Sequence, residues 1–190
     1  MTAGVTSIIP TNVSIGAPIE VLVGMMLVTP AVTGLAGGVL GTGQWLALRH
    51  WRGTRWWIPA SAVGLGLGLT VSVTLVEQVG RWATGGPVNV ARLTTLERAG
   101  SFAVIGLLTG LILGTVQWLV LRRAATRAGA WAAEVALALA SALVAASLVV
   151  DASFGSVVAP AGFCAFAVLS GGIFGVISGL GLRSILSPGA

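Results

Sequence analysis

Residues 37–49 read GGVLGTGQWLALR, and residues 110–122 read GLILGTVQWLVLR. Gly, Leu, Gly-Thr, Gln-Trp-Leu, Leu and Arg recur in register, so one segment is written twice, about 73 residues apart. Each copy is uncharged until its final arginine and belongs to a longer apolar run. Its small residues fall every fourth position, slightly more than one helical turn, and so form a flat ridge on one helix face. In lipid, hiding apolar area drives little association, and close backbone approach through such ridges takes its place. The segment therefore reads as the second half of a transmembrane helix that ends at a headgroup-level Trp and Arg.

The likeness extends outward. With one inserted residue, Trp57 meets Trp131 and Glu77 meets Asp151 at the far end of the next apolar run. A third, fainter copy, Gly171–Arg183 (GGIFGVISGLGLR), keeps glycines, leucines and the arginine but loses Gln and Trp. The unit is thus a two-span hairpin, present twice and followed by a lone first half. An even number of spans per unit gives the copies one orientation, related by an axis along the membrane normal. The fold class expected is all-α: a polytopic bundle of five transmembrane helices, with a duplicated hairpin and a fifth half-repeat helix.

The apolar runs are about 20 residues or longer, enough to cross a hydrocarbon core of roughly 30 Å. Residues 1–18 carry no Lys or Arg and read as an uncharged external tail, without the basic start of a cleaved signal peptide. Residues 19–76 hold the first hairpin, with span one at Ile19–Leu48 and span two from Trp56 to near Val76. Residues 77–98 form an external loop with Gly85-Gly86-Pro87 as its turn signal. Residues 99–151 hold the second hairpin, and residues 152–190 a fifth span and a short cytoplasmic tail. Arg49, Arg52, Arg55, Arg122, Arg123, Arg127 and Arg183 lie on one side, against Arg81, Arg92 and Arg98 on the other. That asymmetry puts the first set in the cytoplasm and the amino terminus outside, as in a bacterial inner membrane.

Composition agrees. Of 190 residues 56% are hydrophobic and 8% charged, against about a quarter charged in soluble domains, so a water-exposed globule is excluded. The net charge of +5 comes from arginines at span ends, not from a basic stripe, and implies no nucleic acid. The partner expected is the lipid bilayer, with a homo-oligomer or larger membrane complex as the assembly. Cys164 is the single cysteine, so no intrachain disulfide exists.

The packing candidates are Gly37 and Gly41 (with Thr33), Gly106, Gly110 and Gly114, and Gly171, Gly175 and Gly179. These ridges predict that spans one, three and five form an inner cluster with spans two and four outside it. Gly64 and Gly68 give span two a lesser ridge. Trp45, Trp118, Arg49, Arg122 and Arg183 are the expected interface anchors. Gln44 and Gln117 lie about a turn deeper, where an amide seeks either an interhelical hydrogen bond or a ligand. Glu134 is ionisable within span four, which costs a few kcal/mol unless it is paired, so it is either an arginine partner or a proton or cation site. Arg49, Arg122 and Arg127 are its candidate partners. His50 has no companion ligands for a metal, and Cys164 has no basic partner. No phosphate loop, zinc helix motif or nucleophile elbow occurs, so no catalytic, cofactor or metal site is assigned.

Glycine-rich spans closing on Gln-Trp-Leu-x-Leu-Arg resemble those of a loose set of uncharacterised bacterial multi-pass membrane proteins. The resemblance covers Gly37–Arg49 and Gly110–Arg122 well and Gly171–Arg183 poorly. It implies a multi-pass membrane protein and transfers no activity. The function expected is a non-enzymatic scaffold or accessory subunit. The alternative is a small-solute or ion pathway near Gln44, Gln117 and Glu134, with hydroxyls at Thr70, Ser72 and Thr74 as lining.

Overall fold

The computed structural model describes residues 19–49, 54–86, 93–122, 128–154 and 160–186. The expected tail 1–18, His50, Arg52, Arg92, Arg123 and Arg127 lie outside the described residues, as do the side chains of Thr33, Asp151, Cys164 and Arg183. All regular structure among the described residues is helical: α1 (Ile19–Leu48), α2 (Trp57–Thr84), α3 (Thr95–Leu121), α4 (Trp131–Phe154) and α5 (Pro160–Leu186). Short 3-10 turns at Thr54–Trp56 and Ala128–Ala130 lead into α2 and α4. The helices α2 to α5 are long and apolar enough to cross a membrane.

Helix ends follow local chemistry. The helix α2 runs two turns past Val76, where the second span was expected to end, carried by an i,i+4 ion pair between Glu77 and Arg81. It stops at Gly85, whose φ of 70° suits glycine and whose N–H donates to the Arg81 carbonyl at 2.9 Å. The helix α3 begins at Thr95, a turn before the expected Ala99, because Thr94 and Glu97 form a capping box. The Glu97 N–H donates to Thr94 Oγ1 at 3.3 Å, and the Thr94 N–H donates to Glu97 Oε2 at 2.8 Å. Membrane span and helix are different lengths here, and the connection between the two hairpins is correspondingly short.

Each helix packs on the next in sequence, and α1 touches α5 only marginally. This corrects the expected inner cluster of spans one, three and five. The ridges of α1 and α3 face their own hairpin partners. A Cβ built on Gly37 would lie 2.5 Å from the Ser61 carbonyl oxygen, and one on Gly41 2.6 Å from Ser61 Cβ. On Gly106, Gly110 and Gly114 it would lie 2.5, 2.5 and 2.7 Å from the Cα atoms of Ala140, Ala136 and Ala132. On its other side α2 turns Gly64 and Gly68 to α3, against Leu113 and Thr109. The physical reason is connectivity: a short loop fixes an antiparallel neighbour first, and the ridge zips onto that neighbour. Consequently α4 is the most buried of the four candidate spans and α5 the least.

Candidate functional site: an amide and indole layer near the arginine-bearing helix ends

Gln44 lies three residues after Gly41, and Gln117 three after Gly114, so each amide shares the face of its ridge. The close approach that the glycines allow brings the following helix within reach. Trp57 Nε1 of α2 donates to Gln44 Oε1 at 3.1 Å, and Trp131 Nε1 of α4 donates to Gln117 Oε1 at 3.0 Å. An indole N–H can only donate, so each fixes which way its amide points. Gln117 Nε2 then donates to Ser61 Oγ at 2.9 Å and to Gln44 Oε1 at 3.2 Å. Gln44 Nε2 donates to Ser178 Oγ of α5 at 3.2 Å, and Ser178 Oγ to the Gly175 carbonyl at 3.4 Å.

This layer is dry. Gln117, Trp57, Trp131 and Ser61 are each 0% exposed, and Ser178 is 2% exposed. The two indoles stand 5.9 Å apart, centroid to centroid, with their planes tilted by 53°. Both amide hydrogens of Gln117 are engaged, and an unmet one here would cost about 1–3 kcal/mol. Of the hydroxyls expected to line a passage, Thr74 is exposed, while Thr70 and Ser72 are engaged within the protein. Thr70 donates to the Gly66 carbonyl and Ser72 to the Gly68 carbonyl, while Thr109 donates to Ser72 Oγ at 3.0 Å.

Ser178 follows Gly171 by seven residues, as Gln44 follows Gly37 and Gln117 follows Gly110. The three odd-numbered helices thus meet at one level, through equivalent positions, although their ridges do not face one another. Sequence reasoning picked the two glutamines but missed Trp57, Trp131, Ser61 and Ser178 as their partners. The usable signal was the Gln-to-Trp interval, 13 residues in the first copy and 14 in the second.

The expected anchors divide. Trp45 and Trp118 are half-buried, Arg49 and Arg122 exposed, and the Arg122 guanidinium lies 5.5 Å above the Trp118 ring. Glu134 occupies the first turn of α4. Its Oε2 is buried with no hydrogen-bond partner, and a Cβ on Gly181 of α5 would lie 2.6 Å from it. Among the described residues no ion pair joins it to Arg49 or Arg122. No group of three or more His, Cys, Asp or Glu comes together among the described residues. Away from the polar layer, an open apolar groove of about 670 Å³ runs between the outer faces of α1 and α2, past Gly34, Gly38, Ala62 and Gly66.

Comparison with protein-family models, curated proteins and solved structures finds no match for this chain.

Proposed function

We propose that this chain is a non-enzymatic scaffold or accessory subunit of a bacterial inner-membrane complex. It crosses the bilayer five times, with its amino terminus outside and its carboxyl terminus cytoplasmic. One observation carries the reading: Gln117, a fully buried amide at the centre of the polar layer, spends both its amide hydrogens on protein partners and is 0% exposed. An amide so engaged ties helices together and has no free hydrogen to offer a passing solute. The seven-to-three arginine asymmetry supports the orientation. The 30 residues of α1, about 45 Å as a helix, suffice for a tilted fifth span.

A second reading, a small-solute or ion pathway near Gln44, Gln117 and Glu134, draws on the unpartnered Glu134 Oε2 alone. Flux assays in reconstituted vesicles separate the two. A scaffold leaves proton and cation leak at the protein-free level, with Glu134→Gln no different from wild type. A leak that is protein-dependent and abolished by Glu134→Gln would replace the scaffold reading with the pathway.

A further inference from the structure

The groove between the outer faces of α1 and α2 is not a by-product of helix packing. Gly34 and Gly38 line its α1 wall, beside the ridge that α2 covers. A Cβ on Gly37 or Gly41 would clash with Ser61, whereas one on Gly34 or Gly38 would come no nearer to α2 than 3.4 Å. The packing therefore tolerates side chains at Gly34 and Gly38, and the second hairpin carries them: 73 positions on stand Leu107 and Leu111. The first hairpin instead keeps an open trough of about 670 Å³.

The groove has one charged end. From Ala31 to Thr42 it follows α1 for roughly 16 Å, about half of a hydrocarbon core of roughly 30 Å and so the depth of one leaflet. Arg49 lies seven residues beyond Thr42, two turns on along the same face, and Arg55 lies three residues before Ile58 in the turn that leads into α2. Both arginines are exposed, and the Arg55 guanidinium lies 5.9 Å from the centroid of the Trp56 ring, itself 62% exposed. No acid of either helix stands at this end, since Glu20 and Glu77 belong to the opposite ends. In the register that pairs Trp57 with Trp131, Arg55 and Trp56 become Gly129 and Ala130. The glycines that open the trough and the added Arg-Trp pair thus go together: the first hairpin has both, and the second has neither.

We propose that this groove holds an acyl chain of an anionic phospholipid, whose phosphate oxygens accept hydrogen bonds from Arg49 and Arg55. The lining suits a hydrocarbon chain: its one hydroxyl, Thr42, donates to the Gly38 carbonyl at 2.8 Å and asks for nothing more. Charge selects a lipid over a second copy of the chain. A second copy shares the first one's orientation in the membrane. Any helix it laid in the groove would bring its own arginine-bearing end to the same level, like charge against like. An anionic headgroup meets the two arginines with opposite charge. Such a site serves a scaffold or a pathway alike.

Native mass spectrometry of the whole chain in detergent, titrated with phosphatidylglycerol and phosphatidylethanolamine of the same acyl chains, tests the site. The first phosphatidylglycerol should bind at least about tenfold more tightly than the first phosphatidylethanolamine. Arg55→Gln should weaken phosphatidylglycerol about fivefold, the ~1 kcal/mol that one arginine contributes at an anionic lipid surface, and Arg122→Gln should change it little. Gly38→Leu fills the trough without meeting α2 and should weaken it several-fold. Glycerol 3-phosphate, a headgroup without chains, should not compete. Arg55 is exposed, so its replacement reads the site even where Gly38→Leu perturbs the hairpin. Equal affinity for the two lipids, or equal loss from Arg55→Gln and Arg122→Gln, overturns the site. So does a preference for phosphatidylglycerol that survives Gly38→Leu, which reduces it to surface charge, and so does competition by glycerol 3-phosphate. A dimer that Gly38→Leu dissolves makes the groove a self-contact and overturns it as well.

Discussion

Buried hydrogen-bond donors in a bundle are expensive to orphan and cheap to remove in pairs. Gln117→Leu leaves the Trp131 N–H without its acceptor and takes a donor from Ser61 Oγ and from Gln44 Oε1, which keeps the Trp57 N–H. It should lower stability by about 1–2 kcal/mol in a detergent unfolding titration. Adding Trp131→Phe should cost less than the sum of the two single changes, and strict additivity would show the Trp131–Gln117 bond to be energetically idle. The sequence made the two glutamines conspicuous because an amide inside an apolar run is rare. Their partners were hidden for a physical reason: tryptophan at a span end reads as a headgroup anchor, and only tertiary packing turns Trp57 and Trp131 inward to 0% exposure. Glu134 was visible for the same reason as the glutamines. Its neighbour Gly181 was not, since one more glycine in a glycine-rich helix carries no signal.

At the level of whole helices, the same residue type has opposite consequences in different places. Gly110→Leu drives a side chain into the backbone of α4 at Ala136 and should destabilise the bundle by about 3 kcal/mol, read as loss of monodispersity in detergent. Gly175→Leu meets open space and should be neutral or slightly stabilising in the isolated chain, because leucine is the better helix former. Equal damage from both would mean that the ridge of α5 is covered in the free protein. The helix termini offer a milder check. Thr94→Ala removes the capping box of α3 and should cost about 1 kcal/mol, seen as faster amide exchange over residues 95–98. The apolar runs in the sequence located every helix but shortened α2 and α3 at their facing ends, and α4 and α5 by a turn at their carboxyl ends. Hydropathy reports where the bilayer stops, whereas an ion pair and a cap decide where the helix does.

For the molecule as a whole, orientation is the property that arginine placement argues and helix packing leaves open. In a Cys164→Ala background, Arg55→Cys should react with a membrane-impermeant maleimide only after permeabilisation, and Gly86→Cys should react in intact cells. The reverse pattern inverts the assignment. The order of helices in space was the least legible feature of the sequence, because a glycine ridge announces close contact without naming its partner. Loop length names it, and the short links at residues 49–56 and 122–130 seat the ridges of α1 and α3 on α2 and α4. Trp57 and Trp131 belong to separate hairpins, yet their rings lie 5.9 Å apart and inclined by 53°. Transition dipoles so near and so inclined mix, and the ultraviolet circular dichroism of the intact chain should carry a paired positive and negative band that neither indole gives alone. Because that optical signature requires both halves at once, it reports docking of the first hairpin against the second with no label attached.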